Sequence, residues 1–149
     1  MEERRCARVF IINEKNQILL QKFEFTQVKG NKVLWVTPGG GVKGSESYKQ
    51  TIERELFEEL RLEISIENEP ILEKDVLIDG KKGEFNSHEV YYLLTLNSKH
   101  EFSLKNMTNN EKNTFQGLKW WSIEKLREQN NFAPEEITKI LEDNSKFKS

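Results

Sequence analysis

Apolar residues along the chain follow two periods, and the change between them divides it into elements. Arg4 to Ile12 (RRCARVFII) becomes β-branched and apolar towards its end, Asn13-Glu14-Lys15-Asn16 is polar and turn-prone, and Gln17 to Lys22 is apolar again. Two such runs around a polar turn predict a β-hairpin. Phe23 to Lys32 mixes aromatic and polar residues and predicts an irregular loop. Leu34-Trp35-Val36 predicts a short strand that stops at Pro38, which has no N–H to give a ladder. The period then changes. Ile52, Leu56 and Leu60 recur every four residues and predict the buried stripe of an amphipathic helix. Ser45 or Ser47 is placed to cap it, with acids expected in its first turn, where the helix dipole favours them.

Downstream, Glu63 to Ile66 and Ile71 to Ile78 predict strands, and Asp79 to Gly83 a loop. Ser87 to Leu96 (SHEVYYLLTL) is the clearest strand pattern in the chain. A polar loop is expected through Asn113, then a short strand over Leu118 to Ile123, and a helical turn over Glu124 to Glu128 capped by Ser122. Pro134, with Glu135 and Glu136 behind it, is expected at the first position of a last helix whose apolar face is Ile137, Ile140 and Leu141. Residues 144–149 (NSKFKS) are expected to fray. The order of strands, long helix, strands and terminal helix predicts an α/β fold in three layers, with helices covering both faces of a sheet. No repeat, low-complexity tract or linker interrupts it, so residues 1–149 read as a single domain.

Composition narrows the picture. With 23 bases against 25 acids the net charge is −2, which supplies no basic excess for nucleic acid or an anionic membrane. The single cysteine, Cys6, excludes an intramolecular disulfide. MEERRC lacks the apolar segment of a signal peptide, and no run of about 18 apolar residues exists to span a bilayer. A soluble cytoplasmic protein is expected.

The helix carries the chemistry. Glu55, Glu58 and Glu59 stand at i, i+3 and i+4 and so share one helical face, where like charges destabilise an isolated helix by a few tenths of a kcal/mol per pair. A hard divalent cation such as Mg²⁺ or Mn²⁺ is what three carboxylates on one face suit. Arg54, one turn before Glu58, is placed to hold its carboxylate. Gly39, Gly40 and Gly41 precede the helix as a permissive loop, where backbone can approach a phosphate near a helix N-terminus. Acids beside an anion-binding loop point to chemistry on a phosphate ester or anhydride.

The spacing Gly40-x5-Glu46-x7-Arg54-Glu55-Leu56-x-Glu58-Glu59-x-Arg61-Leu62 resembles the signature box of the Nudix hydrolases. It covers 23 of 149 residues, and Arg61 stands where that box ends in glycine. An arginine there is expected to extend the helix. The strand ending in Trp35-Val36-Thr37-Pro38 and the late Trp120-Trp121 strand are also similar to the family's flanks.

The resemblance implies an α/β/α sandwich with a mixed sheet, the box helix on one face and the C-terminal helix on the other. It implies metal-dependent hydrolysis, with Mg²⁺ or Mn²⁺, of a nucleoside diphosphate linked to another moiety. Glu58 and Glu59 would be metal ligands, Glu55 a ligand or the base that activates water, and Arg54 the residue that orients them. Gly39, with Gly40 and Gly41, would face the phosphates or the metal, and Glu46 would brace the loop–helix junction. Some relatives take their base from a late loop; Glu111 is the first choice here and Glu89, in a strand, the second.

Phe23, Phe25, Trp35, Tyr91 and Tyr92 are available to stack on a base, although packing explains each of them. The downstream proline or tyrosine that would suggest ADP-ribose or dinucleoside polyphosphates is replaced by Leu77-Ile78-Asp79-Gly80, so a nucleotide-type small molecule is expected without a named substrate. Many relatives are dimers, so a homodimer is among the expected states. Two other readings compete: a Nudix-like nucleotide-binding module or sensor without turnover, which the intact glutamates oppose, and a different metal-assisted reaction on a diphosphate, such as an isomerisation, for which Cys6 is poorly placed.

Overall fold

The computed structural model describes residues 2–147. Strand β1 (Glu2–Ile12) is the axis of a mixed sheet of eight strands. Its second half is buried on both faces, with Ala7, Val9 and Ile11 entering one apolar cluster and Phe10 and Ile12 another. That two-sided burial is why the sequence there loses its alternation. Along its whole length β1 pairs in parallel with β6 (Gly83–Thr95), from Glu2↔Phe85 to Ile12↔Thr95. Strand β5 (Leu72–Gly80) lies antiparallel on the outer edge of β6.

On its other side β1 meets β2 (Ile18–Phe25) only at Ile12↔Ile18, beside the turn that joins them. The two strands then diverge and take different partners. Strand β4 (Gly39–Gly41) pairs with Cys6 to Arg8 of β1, whereas β7 (Phe115–Trp121) pairs with β2. Strand β3 (Lys32–Val36) runs antiparallel to β2, and its end pairs in parallel with the short β8 (Phe132–Ala133).

The predicted helical layers are present. Helix α1 (Tyr48–Leu60) sets Ile52, Leu56 and Leu60 on Ala7, Val9, Ile11 and Leu19. On the opposite face, Leu126 of α3 (Ile123–Arg127) and Ile137 and Leu141 of α4 (Ile137–Phe147) cover Phe10, Ile12 and Leu20. Full burial of each such side chain contributes about 1.5–3 kcal/mol relative to exposure, so these two stripes fix which helix covers which face. A shorter helix, α2 (Asn109–Thr114), stands in the segment expected to be a polar loop, where Thr108 and Glu111 form a capping box.

Several elements differ from the sequence expectations. Phe23 to Phe25 continue β2, because β3 and β7 flank it on both edges and pair with it there. Glu63 to Ile66 form no strand; Leu62 and Ile66 instead close the lower end of the α1 cluster. The glycines are β4 rather than a loop. Helix α1 is capped by Ser47, whose Oγ accepts from the Gln50 N–H at 3.1 Å while Gln50 Oε1 accepts from the Ser47 N–H at 2.9 Å, and its first turn holds no acid. Pro134 does not open α4: Ala133 is held extended against Val36 in β8, and the helix begins only at Ile137, whose N–H reaches the Pro134 carbonyl at 3.2 Å. Helix α4 continues to Phe147, into the segment expected to fray, and positions 148–149 of that segment lie outside the described residues.

Arg61 does not extend α1. It takes the left-handed conformation (φ 53°, ψ 37°), with its N–H on the Phe57 carbonyl at 3.0 Å and the next N–H, of Leu62, on Leu56 at 3.2 Å. Buried Leu62 requires the chain to turn into the core here, so the arginine adopts the backbone a glycine would favour. Left-handed backbone costs a residue with a Cβ roughly 1–2 kcal/mol. Arg61→Gly is therefore expected to stabilise the fold by about 0.5–1 kcal/mol after glycine's larger unfolded-state entropy is counted. Urea denaturation of both proteins measures this, and an unchanged or lower midpoint would show that Arg61 bears no strain.

Candidate active site

Strand β4 brings bare backbone against the middle of α1. Gly39 lies so close to β1 (φ +136°) that a Cβ on it would sit 2.2 Å from the Ala7 carbonyl oxygen. A Cβ on Gly40 would sit 2.6 Å from Glu55 Oε1. The two glycines are thus required by close approach, and what approaches Gly40 is a carboxylate. The Gly39 N–H donates to Glu59 Oε1 at 3.1 Å, so that amide faces a glutamate rather than a free anion. The acids lie alongside β4, and Tyr48, where α1 begins, is well beyond the glycines. The expected grouping of a glycine loop with a helix N-terminus does not form.

Arg54 ties the face together. Its Nε donates to Glu46 Oε2 at 2.6 Å and its Nη2 to Glu46 Oε1 and the Gly41 carbonyl, both at 3.0 Å. Its Nη1 reaches Glu55 Oε1 at 2.9 Å and Glu58 Oε2 at 3.2 Å. Glu46 also accepts from the Lys43 N–H at 2.9 Å and the Thr51 hydroxyl at 3.1 Å, which braces the turn into α1. The Arg54 hydrogen bond, foremost, holds the Glu46 carboxyl down at about 2.

Among the described residues, Glu55, Glu59 and Glu111 form a group whose ligand atoms all lie within 4.8 Å of one another. Glu55 and Glu59 are buried and Glu111 half-buried. Glu111 arrives from α2: its Oε1 accepts from the Thr108 N–H at 3.0 Å, which fixes the side chain through the helix cap. Glu58 is outside this trio, on the Arg54 side, with its side chain 27% exposed. Glu89 is also buried, but within β6, where Tyr91 and Ser87 donate to its two oxygens at 2.6 and 3.2 Å.

The cations near the trio do not offset its burial. Burial, opposed by Arg54, pushes Glu55 up to about 7. Burial, then the Glu55 charge, pushes Glu59 well above the usual carboxylate range despite the Gly39 N–H. Three carboxylates crowded this closely are what a hard divalent ion fits, since it accepts carboxylate oxygens and offsets their charge.

A cavity beside the trio has in its wall a residue that the sequence did not single out. Gln21 of β2 is fully buried and neither of its amide atoms has a partner among the described residues; the same holds for the Thr37 hydroxyl. Gln21 interrupts the apolar run ILLQKF, and a polar residue inside a strand buried on both sides was the signal available. Of the aromatics, Phe23 packs on Phe115, Tyr91 on Phe10 and Trp35 on Trp121, and Tyr92 is buried against the α1 cluster. Phe25 alone of the five lines the cavity wall beside the trio while staying half-buried.

A family model described as the NUDIX domain matches residues 2–141, and the chain belongs to that family. Its fold is shared by solved structures of low sequence identity. The E. coli ORF135 protein is 22% identical, with a TM-score of 0.61 over 100% of this chain and 93% of that one. A MutT protein from Methanosarcina mazei Go1 is 19% identical, with a TM-score of 0.62 over 99% and 96% of the two chains. An Ap4A hydrolase of C. elegans, in a binary complex, is 19% identical, with a TM-score of 0.64 over 97% and 96%. No curated protein matches the chain in sequence. No helix among the described residues is long and apolar enough to cross a membrane.

The raised carboxyls couple stability to pH. Between the ordinary glutamate value of 4.5 and about 7, the unfolded chain releases the Glu55 proton while the metal-free native protein keeps it. The Glu55 contribution to stability is therefore full below about pH 4.5 and declines as pH rises towards 7, by at most about 1.4 kcal/mol for each pH unit crossed. Urea midpoints of the chelator-treated protein across this window are expected to fall more steeply than those of Glu55→Gln, and added Mg²⁺ is expected to remove the difference. Parallel pH profiles for the two proteins would show that Glu55 titrates normally.

Proposed function

We propose that the protein is a metal-dependent pyrophosphohydrolase that cleaves the diphosphate of a nucleoside diphosphate linked to another moiety. The observation that carries this reading is the convergence of Glu55, Glu59 and Glu111 within 4.8 Å, two of them buried against glycine backbone. Its membership of the NUDIX domain family supports it. Glu55 and Glu59 would hold Mg²⁺ or Mn²⁺ from α1, with Glu111 opposite. A bound divalent ion lowers the pKa of water and neutralises charge on the phosphoryl oxygens.

The chain's own groups have distinct tasks. Arg54 fixes the Glu55 carboxylate and, through Glu46, locks the turn between β4 and α1. Glu59 is oriented by the Gly39 N–H. Glu111 is the most accessible of the trio and has one oxygen tied to its helix cap, so the other is free to take the proton of the attacking water. Glu58 supports the face through Arg54. Glu89, already bonded by Tyr91 and Ser87, is set aside as the base. A cytoplasmic setting and a nucleotide-type small-molecule substrate belong to the same proposal, as does the reading of residues 1–149 as one domain.

Purified protein with Mg²⁺ or Mn²⁺ would be screened against nucleoside triphosphates, ADP-ribose, dinucleoside polyphosphates and nucleotide sugars. Cleavage of at least one class is expected, abolished by chelator and reduced about 100-fold or more in Glu59→Gln. Silence across every pool, or a Glu59→Gln protein as active as the original, would refute the assignment. Binding without cleavage would favour the sensor reading.

A further inference from the structure

The cavity at the glutamate trio adjoins a larger one. The smaller, about 210 Å³, includes Gly39, Glu59 and Glu111 in its wall. The larger, about 520 Å³, is walled by Leu34, Val76, Ile78 and Pro134, and is of a size that small organic ligands fill. Arg8, Phe25 and Val36 line both, and Arg8 alone of these is charged.

Arg8 owes this place to the divergence of β1 from β2. It alternates with Phe10 and Ile12, so it projects on the α4 face of the sheet, whereas the trio's α1 lies on the other. Its guanidinium is only partly committed. Nη1 donates to the Thr37 carbonyl at 3.1 Å, and Nε stands 4.0 Å from Glu89 Oε2, beyond hydrogen-bond distance. The oxygens of Glu89 are instead taken by Tyr91 and Ser87. The described residues give Nη2 no hydrogen bond, although the side chain is only 19% exposed. A purely structural arginine at such depth would be expected to engage a carboxylate with both arms. This one is anchored along one edge and presents the other to the two cavities.

We propose that Arg8 is a substrate-binding residue whose free guanidinium edge holds a phosphate oxygen where the cavities meet. The scissile diphosphate then lies towards the trio and the organic group lies in the larger cavity. Glu89 is a positioning residue: it holds Arg8 by charge while Tyr91 and Ser87 keep its carboxylate from swinging into the ligand's place. Lysine cannot reproduce this, because a single ammonium cannot both anchor on Thr37 and present a second, planar edge. The assignment rests on the pyrophosphohydrolase reading for the direction of the diphosphate, but binding tests it independently of turnover.

The test is calorimetric binding of ADP, GDP, CDP and UDP with Mg²⁺ to the unaltered protein, to Arg8→Lys and to Lys125→Gln as a control on the exposed surface. For whichever diphosphate binds, Arg8→Lys is expected to weaken it about 10- to 100-fold, the range for one charge-assisted hydrogen bond, and Lys125→Gln to leave it unchanged. Affinity for Mg²⁺ alone is expected to be equal in all three. If the chain turns the substrate over, Arg8→Lys is expected to raise KM with a smaller change in kcat. Equal diphosphate affinity in a folded Arg8→Lys protein would overturn the proposal. Should that variant fail to fold, the Arg8 Nε–Hε NMR resonance of the unaltered protein is expected to shift on adding the Mg²⁺-diphosphate, and a resonance that does not move would overturn it equally. Tight diphosphate binding together with no cleavage in any pool of the substrate screen would defeat the hydrolase reading and leave Arg8's role standing.

Discussion

The approach of α1 to glycine backbone is the constraint on which the site depends. A helix carrying Leu56 and Leu60 into the core must turn Glu55 and Glu59 towards the sheet beside them. Any side chain on Gly40 would occupy the place of the Glu55 carboxylate, and any on Gly39 would strike β1. With glycine there the carboxylates are buried, the Arg54 and Arg8 charges and one backbone N–H offset that burial only in part, and their protons are held more tightly than in water. Packing creates the electrostatic deficit, and a bound cation would relieve it.

Arg54 and Glu46 make that deficit tolerable without cancelling it. Glu46 takes two of the arginine's donors and Gly41 another contact, so a limited share of the guanidinium's charge reaches Glu55 and Glu58. The arginine is anchored at the mouth of the helix and leans on the acids from one side. Glu111 comes from the other side, on a six-residue helix that owes its direction to the Thr108 cap. The glutamate trio is thus assembled from one long helix and one short one, held by different sets of bonds.

The sheet supplies the second half of the design. Beyond Ile12↔Ile18, β1 and β2 part and leave room between them for other strands. Because β4 takes the edge of β1 and β7 that of β2, Arg8 can stand between a smaller cavity that reaches Glu59 and Glu111 and a larger one towards β5 and β8. The reacting group and the rest of a substrate would then be read by different layers of one sheet.

Much of this was legible along the chain. The four-residue stripe of Ile52, Leu56 and Leu60, the two-sided burial of Val9 to Ile12 and the strand over Ser87 to Leu96 are local patterns, and local patterns survive folding because each buries its own apolar face. The spacing of Glu55, Glu58 and Glu59 showed one acidic face, since helical geometry alone puts those side chains together, and the longer pattern from Gly40 to Leu62 pointed to the family. What the chain could not show are the contacts made across elements. Glu111 joins the trio and Glu58 stays outside it through the placing of α2; the glycines become a strand because β1 has a free edge; Arg61 turns left-handed because Leu62 must be buried. Arg8 lies 51 positions from Glu59 in a run that reads as ordinary strand. Sequence by itself determined the helix, its acids and the class of fold, and only the tertiary structure decided which acids meet and which arginine faces them, because distances between elements are set by packing and not by spacing.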